Sequence, residues 1–286
     1  MKVLITGENG YISGQLYDYL NSKNNGFQVI KKSVRSNIEN IDLNGIETVV
    51  HLAGLVHKKK GYPDREYIQV NCELTKNLAL SAKKQGVKQF IFFSTMAVYG
   101  FQKGEITSFT ATNPETVYGK SKLLAEKELE RIASEDFKVA IVRPPMVYGP
   151  NCPGNYKLLS DFIKVAPIFP YIDNKRSMIF IGNLNVFIEE VMINRDSGVF
   201  HIQDPNFVST TNMVKNIANI NNLNIRISKR LGIILSKILK NNKLYLKVFG
   251  DLFYSTDLTI YNENTYQKYD FNNSINISEK KVSMYD

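Results

Sequence analysis

Tyr118, Lys122 and the upstream Thr95 are the residues of this sequence whose types and spacing best fit catalysis. A separation of four residues on a helix places the phenol and the ammonium on the same face. A phenol has an ordinary pKa of about 10, and a neighbouring cation favours its ionised form. Thr95 ends an apolar stretch and could hold a reacting oxygen close to that phenol. These residues predict proton transfer to or from a hydroxyl/carbonyl couple.

The order of the surrounding elements separates Tyr118 from the other tyrosines that precede a lysine by four positions, which are Tyr19, Tyr99 and Tyr171. The apolar segment that leads into Thr95 is typical of a buried parallel strand. A helix start at Pro114-Glu115 precedes Tyr118, and an apolar stripe at helical spacing follows it. Another apolar strand then ends at Arg143. This order, more than the spacing alone, supports the functional interpretation.

The first half of the chain alternates predicted strands with predicted helices. The strands are Lys2–Thr6, Gln28–Lys32, Glu47–Leu52, Gln89–Ser94 and Lys138–Val142, and the helices are Tyr11–Asn21, Asn71–Gln85 and Glu115–Ser134. This alternation predicts an α/β fold with a doubly wound parallel sheet that binds ligands at the carboxyl ends of its strands. Further on, we expect a helix over Asn155–Ile163, late strands over Ser177–Ile181 and Gly198–Ile202, and little regular structure after about Asn206.

The composition indicates a globular protein, with 43% hydrophobic and 22% charged residues. No apolar run approaches the length of a transmembrane helix, and the first strand leads directly into a glycine turn, so we expect a cytoplasmic protein. The two cysteines, Cys72 and Cys152, are far apart and the three histidines are scattered. This distribution predicts neither a disulfide framework nor a metal site.

The net charge of +9 is partly concentrated between Arg226 and Lys247, a stretch without an acidic residue. A helical stripe in this stretch predicts a helix that either packs on the protein body with a solvated basic face or lies on an anionic membrane surface. The stripe consists of Leu231, Ile234, Leu235 and Ile238. We favour the packed helix, because basic faces are common on soluble helices. The same distribution argues against a nucleic-acid partner.

Gly7 and Gly10 lie between the first predicted strand and the first helix. A glycine turn at this place lets a pyrophosphate approach the backbone N–H groups of the helix start. At the end of the second strand, Lys32, Ser33 and Arg35 stand where an acidic residue would bind the ribose hydroxyls of NAD. We therefore favour NADP(H), with NAD(H) as the alternative. We expect residues 1–150 to form an NAD(P)-binding Rossmann domain, completed by parts of 176–205, and 151–286 to form mainly a smaller substrate-binding lobe.

Six segments together resemble the extended short-chain dehydrogenase/reductases, the family of nucleotide-sugar epimerases, dehydratases and reductases. The segments are Thr6–Ile12, His51–Gly54, Asn71, Phe93–Gly100, Tyr118–Lys122 and Arg143–Pro150. They follow one another in the family's order over the first 150 residues. The chain is most similar to members from capsule and O-antigen gene sets that act at C4 of UDP-N-acetylated sugars. The family's fold matches the one predicted above.

The resemblance implies roles for individual residues. The catalytic residues are Thr95, Tyr118 and Lys122. The cofactor contacts include Tyr118 and Lys122 again. The full set is Gly7, Gly10, Tyr11, Ile12, Lys32, Ser33, Arg35, Leu52, Ala53, Gly54, Asn71, Tyr118, Lys122, Pro144 and Val147. The contacts to the UDP-sugar are Thr95, Met96, Asn155 and Arg176. Relatives also often dimerise, so a homodimer is implied. Two departures from the family pattern are Ser13, in place of a third glycine, and Met146, in place of an asparagine.

The resemblance also narrows the reaction. Dehydratases of the family carry Asp-Glu after the catalytic Thr, and Met96 and Ala97 cannot move protons in their place. We favour NAD(P)H-dependent reduction of a UDP-2-acetamido-2,6-dideoxy-4-keto-hexose in surface polysaccharide biosynthesis. The alternative is a UDP-glucose or UDP-N-acetylglucosamine 4-epimerase with tightly bound NAD. A remote alternative is a non-catalytic NAD(P)-sensing regulator.

Overall fold

The computed structural model describes residues 1–22, 26–34, 41–56, 63–100 and 104–280. Its twelve strands are β1 (Lys2–Thr6), β2 (Gln28–Lys32), β3 (Thr48–His51), β4 (Gln89–Phe93), β5 (Gly104–Ile106), β6 (Lys138–Arg143), β7 (Met146–Tyr148), β8 (Ile168–Pro170), β9 (Met178–Phe180), β10 (Gly198–His201), β11 (Arg226–Ser228) and β12 (Leu252–Tyr254). Six of them form one parallel sheet in the order β10-β6-β4-β3-β1-β2. The remaining six form three parallel pairs, β11-β8, β12-β5 and β7-β9.

Ten α-helices connect and cover these strands. They are α1 (Tyr11–Ser22), α2 (Asp64–Ile68), α3 (Leu74–Lys84), α4 (Val117–Ile132), α5 (Asn155–Ile163), α6 (Ile181–Asn194), α7 (Thr210–Ile220), α8 (Lys229–Leu239), α9 (Lys243–Phe249) and α10 (Phe271–Lys280). A π-helical segment, Gln69–Glu73, joins α2 to α3. Hydroxyl side chains begin three of the helices, because Thr116, Ser209 and Ser228 each accept a backbone N–H from the first turn of α4, α7 and α8.

Alternate residues of the large sheet enter two separate hydrophobic cores, as expected when helices cover both faces. Val3 and Ile91 face one core, which also holds side chains of α1 and α6. Leu4 and Phe90 face the other, which holds side chains of α3 and α4. The predicted α/β fold with a doubly wound parallel sheet is therefore confirmed. No helix within the described ranges is long and apolar enough to cross a membrane.

The late part of the chain is more regular than its sequence suggests. The expectation of little regular structure after about Asn206 is wrong, because α7 and α10 are well-formed helices with buried faces. The helix expected to begin at Asn71 begins at Asp64 instead and passes through the π-helical segment. α6 was not predicted, and β10 joins β6 at the edge of the large sheet.

Candidate active site

Lys122 is a deeply buried charged residue near the predicted catalytic group, with 3% of its surface exposed. Its Nζ donates to the Phe93 carbonyl at 2.8 Å and lies 4.5 Å from the centre of the Phe92 ring. Burial lowers the pKa of Lys122 to about 8, although the carboxylate of Glu126 one turn later opposes that shift. The lysine is thus bound to the end of β4. Keeping its ammonium charged there costs more free energy than on the protein surface.

Thr95 and Tyr118 lie near each other at the carboxyl end of β4, close enough for the Thr95 hydroxyl to affect the pKa of the phenol. Burial raises the pKa of Tyr118 to about 12, and Thr95 only partly opposes this. From the sequence we expected Lys122 to lower the pKa of Tyr118. In the structure the pKa of Tyr118 is raised instead. The reason is that burial is the largest effect on the phenol, while Lys122 Nζ is hydrogen-bonded to the Phe93 carbonyl. The hydroxyl of Thr95 also accepts the Ala97 N–H at 3.2 Å, which fixes the turn that follows.

Asn71 connects three segments at the base of this group. Its Oδ1 accepts the Leu55 N–H at 2.7 Å, and its Nδ2 donates to the Leu55 carbonyl at 3.0 Å and to Ser121 Oγ at 2.9 Å. Ser121 in turn donates to the Tyr118 carbonyl at 2.8 Å. A Cβ at Gly54 would lie 2.9 Å from Asn71 Oδ1 and 3.3 Å from Lys122 Nζ. Both amide hydrogens of Asn71 are donated within the protein. Its side chain therefore binds the backbone of Leu55 and fixes the adjacent Gly54.

The glycine turn after β1 has the geometry that a pyrophosphate needs. Gly7 has φ +85°, and a Cβ there would lie 3.0 Å from the backbone N of Ala53. Ser13 is buried and donates to the Gly7 and Gly10 carbonyls, so its hydroxyl ties the turn together. Gly10 itself is exposed at the start of α1. A bare backbone at a helix N-terminus fits a dinucleotide diphosphate, so the residues present match the implied cofactor.

The remaining predicted cofactor residues lie at or after the ends of strands β1, β2, β3 and β6 of the large sheet, and one of them lies outside the described residues. Leu52 and Ala53 donate their N–H groups to Thr6 Oγ1 at 3.1 and 3.2 Å. Tyr11 and Ile12 open α1 and are half-buried. Tyr11 lies near the thiol of Cys152 and lowers its pKa, against the larger effect of burial, which raises it. Pro144 and Val147 follow β6. Lys32 and Ser33 are exposed at the end of β2, and Arg35 lies outside the described residues.

His51 forms a buried polar chain beneath the turn that the sequence did not reveal. Its Nδ1 lies 2.8 Å from Thr6 Oγ1, and its Nε2 lies 2.9 Å from Thr75 Oγ1. Thr6 already accepts two backbone N–H groups, so its own hydrogen goes to Nδ1. Thr75 donates to the Asn71 carbonyl, so it accepts from Nε2–H. Burial lowers the pKa of His51 to about 3, which keeps this arrangement neutral.

A second buried network joins α4 to the far edge of the sheet. Arg143 donates to both carboxylate oxygens of Glu126, from Nε at 3.1 Å and from Nη2 at 2.6 Å. Ser94, next to Thr95, donates to the same carboxylate. Arg143 Nη1 also donates to Tyr99 OH at 2.8 Å. Burial alone would lower the pKa of Arg143, but Glu126 raises it above its usual value. The network thereby fixes the residue before Thr95 and the helix that carries Lys122.

Replacing Glu126 with Gln should destabilise the protein by about 3 kcal/mol or more, because it leaves a buried guanidinium without a counter-charge. The exposed Glu130, one turn further along α4, provides the control through Glu130→Gln. Urea midpoints of the two variants are the measurement. The combined change Glu126→Leu with Arg143→Met should recover most of the loss, since it removes both charges. Equal midpoints for Glu126→Gln and wild type would contradict this role.

Two of the four predicted substrate residues line a cavity of about 420 Å³, whereas Thr95 and Met96 are not among its lining residues. Asn155, the first residue of α5, and Arg176 both line it, and so does Met146. Arg176 Nη1 donates to the Gly250 carbonyl at 2.8 Å, and burial lowers its pKa. Met96 is buried beside Thr95, and its N–H donates to the Pro144 carbonyl at 3.1 Å. The lining residue Met146 is thus two positions after Pro144, whose carbonyl binds the residue that follows Thr95.

Three curated relatives carry names that describe the same kind of chemistry. The chain is 32% identical over 248 residues to UDP-glucose 4-epimerase of Vibrio cholerae, covering 76% of this chain and 74% of that protein. It is 34% identical over 165 residues to N-acetyl-alpha-D-glucosaminyl-diphospho-ditrans,octacis-undecaprenol 4-epimerase of Escherichia coli O157:H7, covering 54% and 48%. It is 28% identical over 160 residues to UDP-2-acetamido-2,6-beta-L-arabino-hexul-4-ose reductase of Pseudomonas aeruginosa, covering 54% and 38%.

Solved structures share the fold. UDP-glucuronic acid 4-epimerase from Bacillus cereus, in complex with NAD, has a TM-score of 0.75 at 17% identity and covers 98% of each chain. A dTDP-4-dehydrorhamnose reductase from Bacillus anthracis, in complex with NADP, has a TM-score of 0.66 at 22% identity, covering 79% of this chain and 82% of that one. Structures with this fold therefore bind NAD or NADP. The model of the NAD dependent epimerase/dehydratase family matches residues 3–167, and the chain belongs to this family of enzymes.

Proposed function

We propose that this enzyme transfers hydride at C4 of a hexose that is carried on a diphosphate, with a nicotinamide dinucleotide as cofactor. The observation that carries the proposal is the proximity of Thr95, at the end of β4, to Tyr118, on the helix that also carries the buried Lys122. This group lies at the carboxyl end of β4, and the glycine turn follows β1 in the same parallel sheet. Ligands of doubly wound sheets bind at these ends, so one molecule could reach both.

The side chains have separate tasks in this proposal. When bound, a nicotinamide ring supplies or accepts the hydride. Tyr118 gives its proton to the C4 oxygen during reduction, or takes it during oxidation, and Thr95 holds that oxygen by hydrogen bonding. Lys122 keeps a positive charge near the phenol, where it favours the phenolate. Gly54, held by Asn71, lets the ammonium approach the cleft without a side chain in the way.

Reduction of a UDP-2-acetamido-2,6-dideoxy-4-keto-hexose with NADPH is the first form of this reaction. It is supported by the end of β2, where Lys32 and Ser33 are exposed and an acidic residue is lacking in the sequence. The P. aeruginosa relative is named for such a reduction. Water elimination is a poor match, because Met96 and Ala97 follow Thr95 and neither can exchange protons.

4-Epimerisation with retained NAD is the second form, and the names of the V. cholerae and E. coli relatives favour it. The same three residues would take the proton from the C4 hydroxyl while the bound NAD accepts the hydride, and would return that proton when the hydride goes back to the other face of the sugar. The two forms differ in whether the nucleotide leaves. The relatives also name two carriers, UDP and a polyprenyl diphosphate. A cytoplasmic location and a homodimer stay predictions from the sequence.

Identification of the nucleotide released from the purified protein tests this choice. A reductase should release little nucleotide, and it should consume added NADPH, followed by absorbance, when offered a diphosphate-linked 4-keto-6-deoxy-N-acetylhexosamine. An epimerase should release about one NAD per chain and interconvert the gluco and galacto N-acetylhexosamines without added cofactor. Faster turnover with NADH than with NADPH would contradict the cofactor preference. Failure of both conversions would contradict the proposed function.

A further inference from the structure

The cavity beside the active site is mainly apolar. Four of its fourteen lining residues carry a polar side-chain group. They are Asn155, Tyr156, Arg176 and Thr210. Thr210 donates its hydroxyl hydrogen to the Val248 carbonyl at 3.1 Å, and Arg176 donates one N–H to the Gly250 carbonyl. Few polar groups are thus left to match the heteroatoms of a nucleotide base, which would lose its hydrogen bonds to water on entry. The lining suits a hydrocarbon better than a base.

Aromatic side chains from three elements form one wall of this cavity. Phe162 of α5 meets Phe169 of β8 with ring centres 6.4 Å apart, and Phe169 meets Phe249 of α9 at 6.0 Å. Phe169 is buried, whereas Phe162 is 51% exposed. The wall therefore runs from the interior to the surface. At the interior end, Met146 lines the cavity close to Pro144, which contacts Met96 beside the catalytic Thr95.

The surface around this exit is unusually apolar. Leu158 and Phe162 on α5 are 68% and 51% exposed, and Val165 after the helix is 80% exposed. On α8, Ile233, Ile234 and Ile238 are 55%, 52% and 72% exposed. Contacts link the two helices, since Phe162 meets β8, β8 pairs with β11, and β11 leads into α8. Apolar groups at this density mark a surface that meets another apolar phase.

α8 does not pack in the way that its sequence suggests. Its one buried residue is Gly232, where a Cβ would lie 2.1 Å from the Tyr171 carbonyl oxygen. Leu231 and Leu235 are half-buried, but Ile234 and Ile238, which we expected to pack on the body, face outward. The expectation of a packed stripe is thus wrong for half of its residues. The helix therefore buries little of its surface against the lobe, and its isoleucines are exposed to solvent.

Basic residues accompany the exposed isoleucines. Lys229, Arg230, Lys237 and Lys240 are exposed on or just after α8, and α8 contains no acidic residue. Basic and large apolar side chains on one exposed helical surface are typical of helices that lie in the interface of an anionic bilayer. The charge also suits the diphosphate of a substrate that would approach from that side.

We propose that the sugar reaches this enzyme on a polyprenyl diphosphate embedded in a membrane. In this arrangement α8 and the exposed side chains of α5 rest on the anionic bilayer, and the hydrocarbon next to the diphosphate enters the apolar cavity. Arg176 and Asn155 face the diphosphate, and the sugar extends past Met146 to Thr95 and Tyr118. This inference rests on the proposed C4 chemistry and replaces UDP with a lipid as the carrier.

A comparison of carriers tests this inference with the full chain. The probes are N-acetylglucosamine and its 4-keto-6-deoxy derivative, each on UDP and on undecaprenyl diphosphate in phosphatidylglycerol vesicles, with NAD and NADPH present. We expect kcat/KM to be at least about 100-fold higher for a lipid-linked form, the factor given by two large apolar contacts. A UDP form converted equally well or better would overturn the inference and leave the C4 chemistry standing. Conversion of none of the four would defeat both.

Vesicle flotation provides a second test that does not depend on turnover. The double change Ile234→Glu with Ile238→Glu should reduce binding to phosphatidylglycerol vesicles by about 100-fold, because it removes two apolar contacts. The control is Ile193→Glu with Ile260→Glu, which alters two isoleucines that are 60% and 65% exposed outside the lobe surface described here. The control should bind vesicles like wild type. Equal losses in both variants, or none in the first, would overturn the membrane contact.

Discussion

Tyr118→Phe should lower turnover by about 10³-fold, because general acid–base catalysis by one positioned group contributes on this scale. The change removes one hydroxyl and keeps the ring, so α4 and the turn after β1 should stay folded. Binding of the nicotinamide dinucleotide, followed by its fluorescence, should therefore change little. The readout is turnover of the better substrate at saturating cofactor.

The matched control for this change is Tyr171→Phe. Tyr171 also precedes a lysine by four positions, but it lies after β8 and is 37% exposed. Its replacement should leave turnover within about twofold, as expected for a surface change. Full activity of Tyr118→Phe would contradict the proposed chemistry. A regulator that only senses NAD(P) would show no turnover in the wild type and unchanged cofactor binding in the variant.

Lys122→Met should stabilise the protein while it lowers turnover by a factor of about 10² or more. In wild type, burial lowers the pKa of Lys122 from 10.5 to about 8. This depression corresponds to roughly 3 kcal/mol of instability when the lysine is charged. Methionine fills similar space without a charge, so this cost disappears together with the ammonium. Urea unfolding at pH 7 measures the first effect, and turnover measures the second.

The pH dependence of this gain follows from the two states. Below pH 8 the lysine is protonated in both the folded and the unfolded chain, so wild type carries the full cost. Between pH 8 and 10.5 the folded lysine loses its proton before the unfolded one, so wild-type stability rises relative to the variant. The difference in unfolding free energy between variant and wild type should therefore be largest below pH 8. It should decrease as the pH rises to 10.5.

Lys83→Met provides the control for Lys122. Lys83 also donates to a carbonyl, that of Ile132 at 2.6 Å, and its Nζ lies 6.0 Å from the centre of the Phe137 ring. It differs in being exposed on α3. Its replacement should therefore bring no comparable gain in stability. A Lys122→Met variant that is no more stable than wild type at pH 7 would show that the burial cost is already compensated.

The sequence predicts the large sheet well, because its strands are continuous apolar runs and its helices have clear stripes. β1 and β2 have the predicted bounds, and β3, β4 and β6 differ by about one residue at an end. The fold class and the family are both confirmed by these elements and by the matched relatives. The same order places Thr95 and Tyr118 in contact. Their catalytic roles stay predictions until the variants are measured.

Other features depend on tertiary contacts that a single sequence does not display. α6 is buried on nearly all sides, so its sequence shows no periodic stripe to indicate a helix. Glu126 and Arg143 belong to different elements, and only the fold makes them a bidentate pair. Ile234 and Leu235 look alike in the sequence. In the structure Gly232 faces the Tyr171 backbone, and in the resulting orientation of α8 Ile234 is exposed while Leu235 is half-buried.

Tyr254 connects the late chain to the Arg143 network next to the catalytic group. It is fully buried in β12, and its hydroxyl donates to the Arg143 carbonyl at 2.9 Å, while its ring packs edge-on against Tyr99. A nascent chain that has passed residue 150 therefore still lacks the hydroxyl that binds the Arg143 carbonyl and the ring that packs against Tyr99. Competence for chemistry should consequently arise late in translation, once the ribosome has released this tyrosine, and a truncated product ending before it would emerge inert.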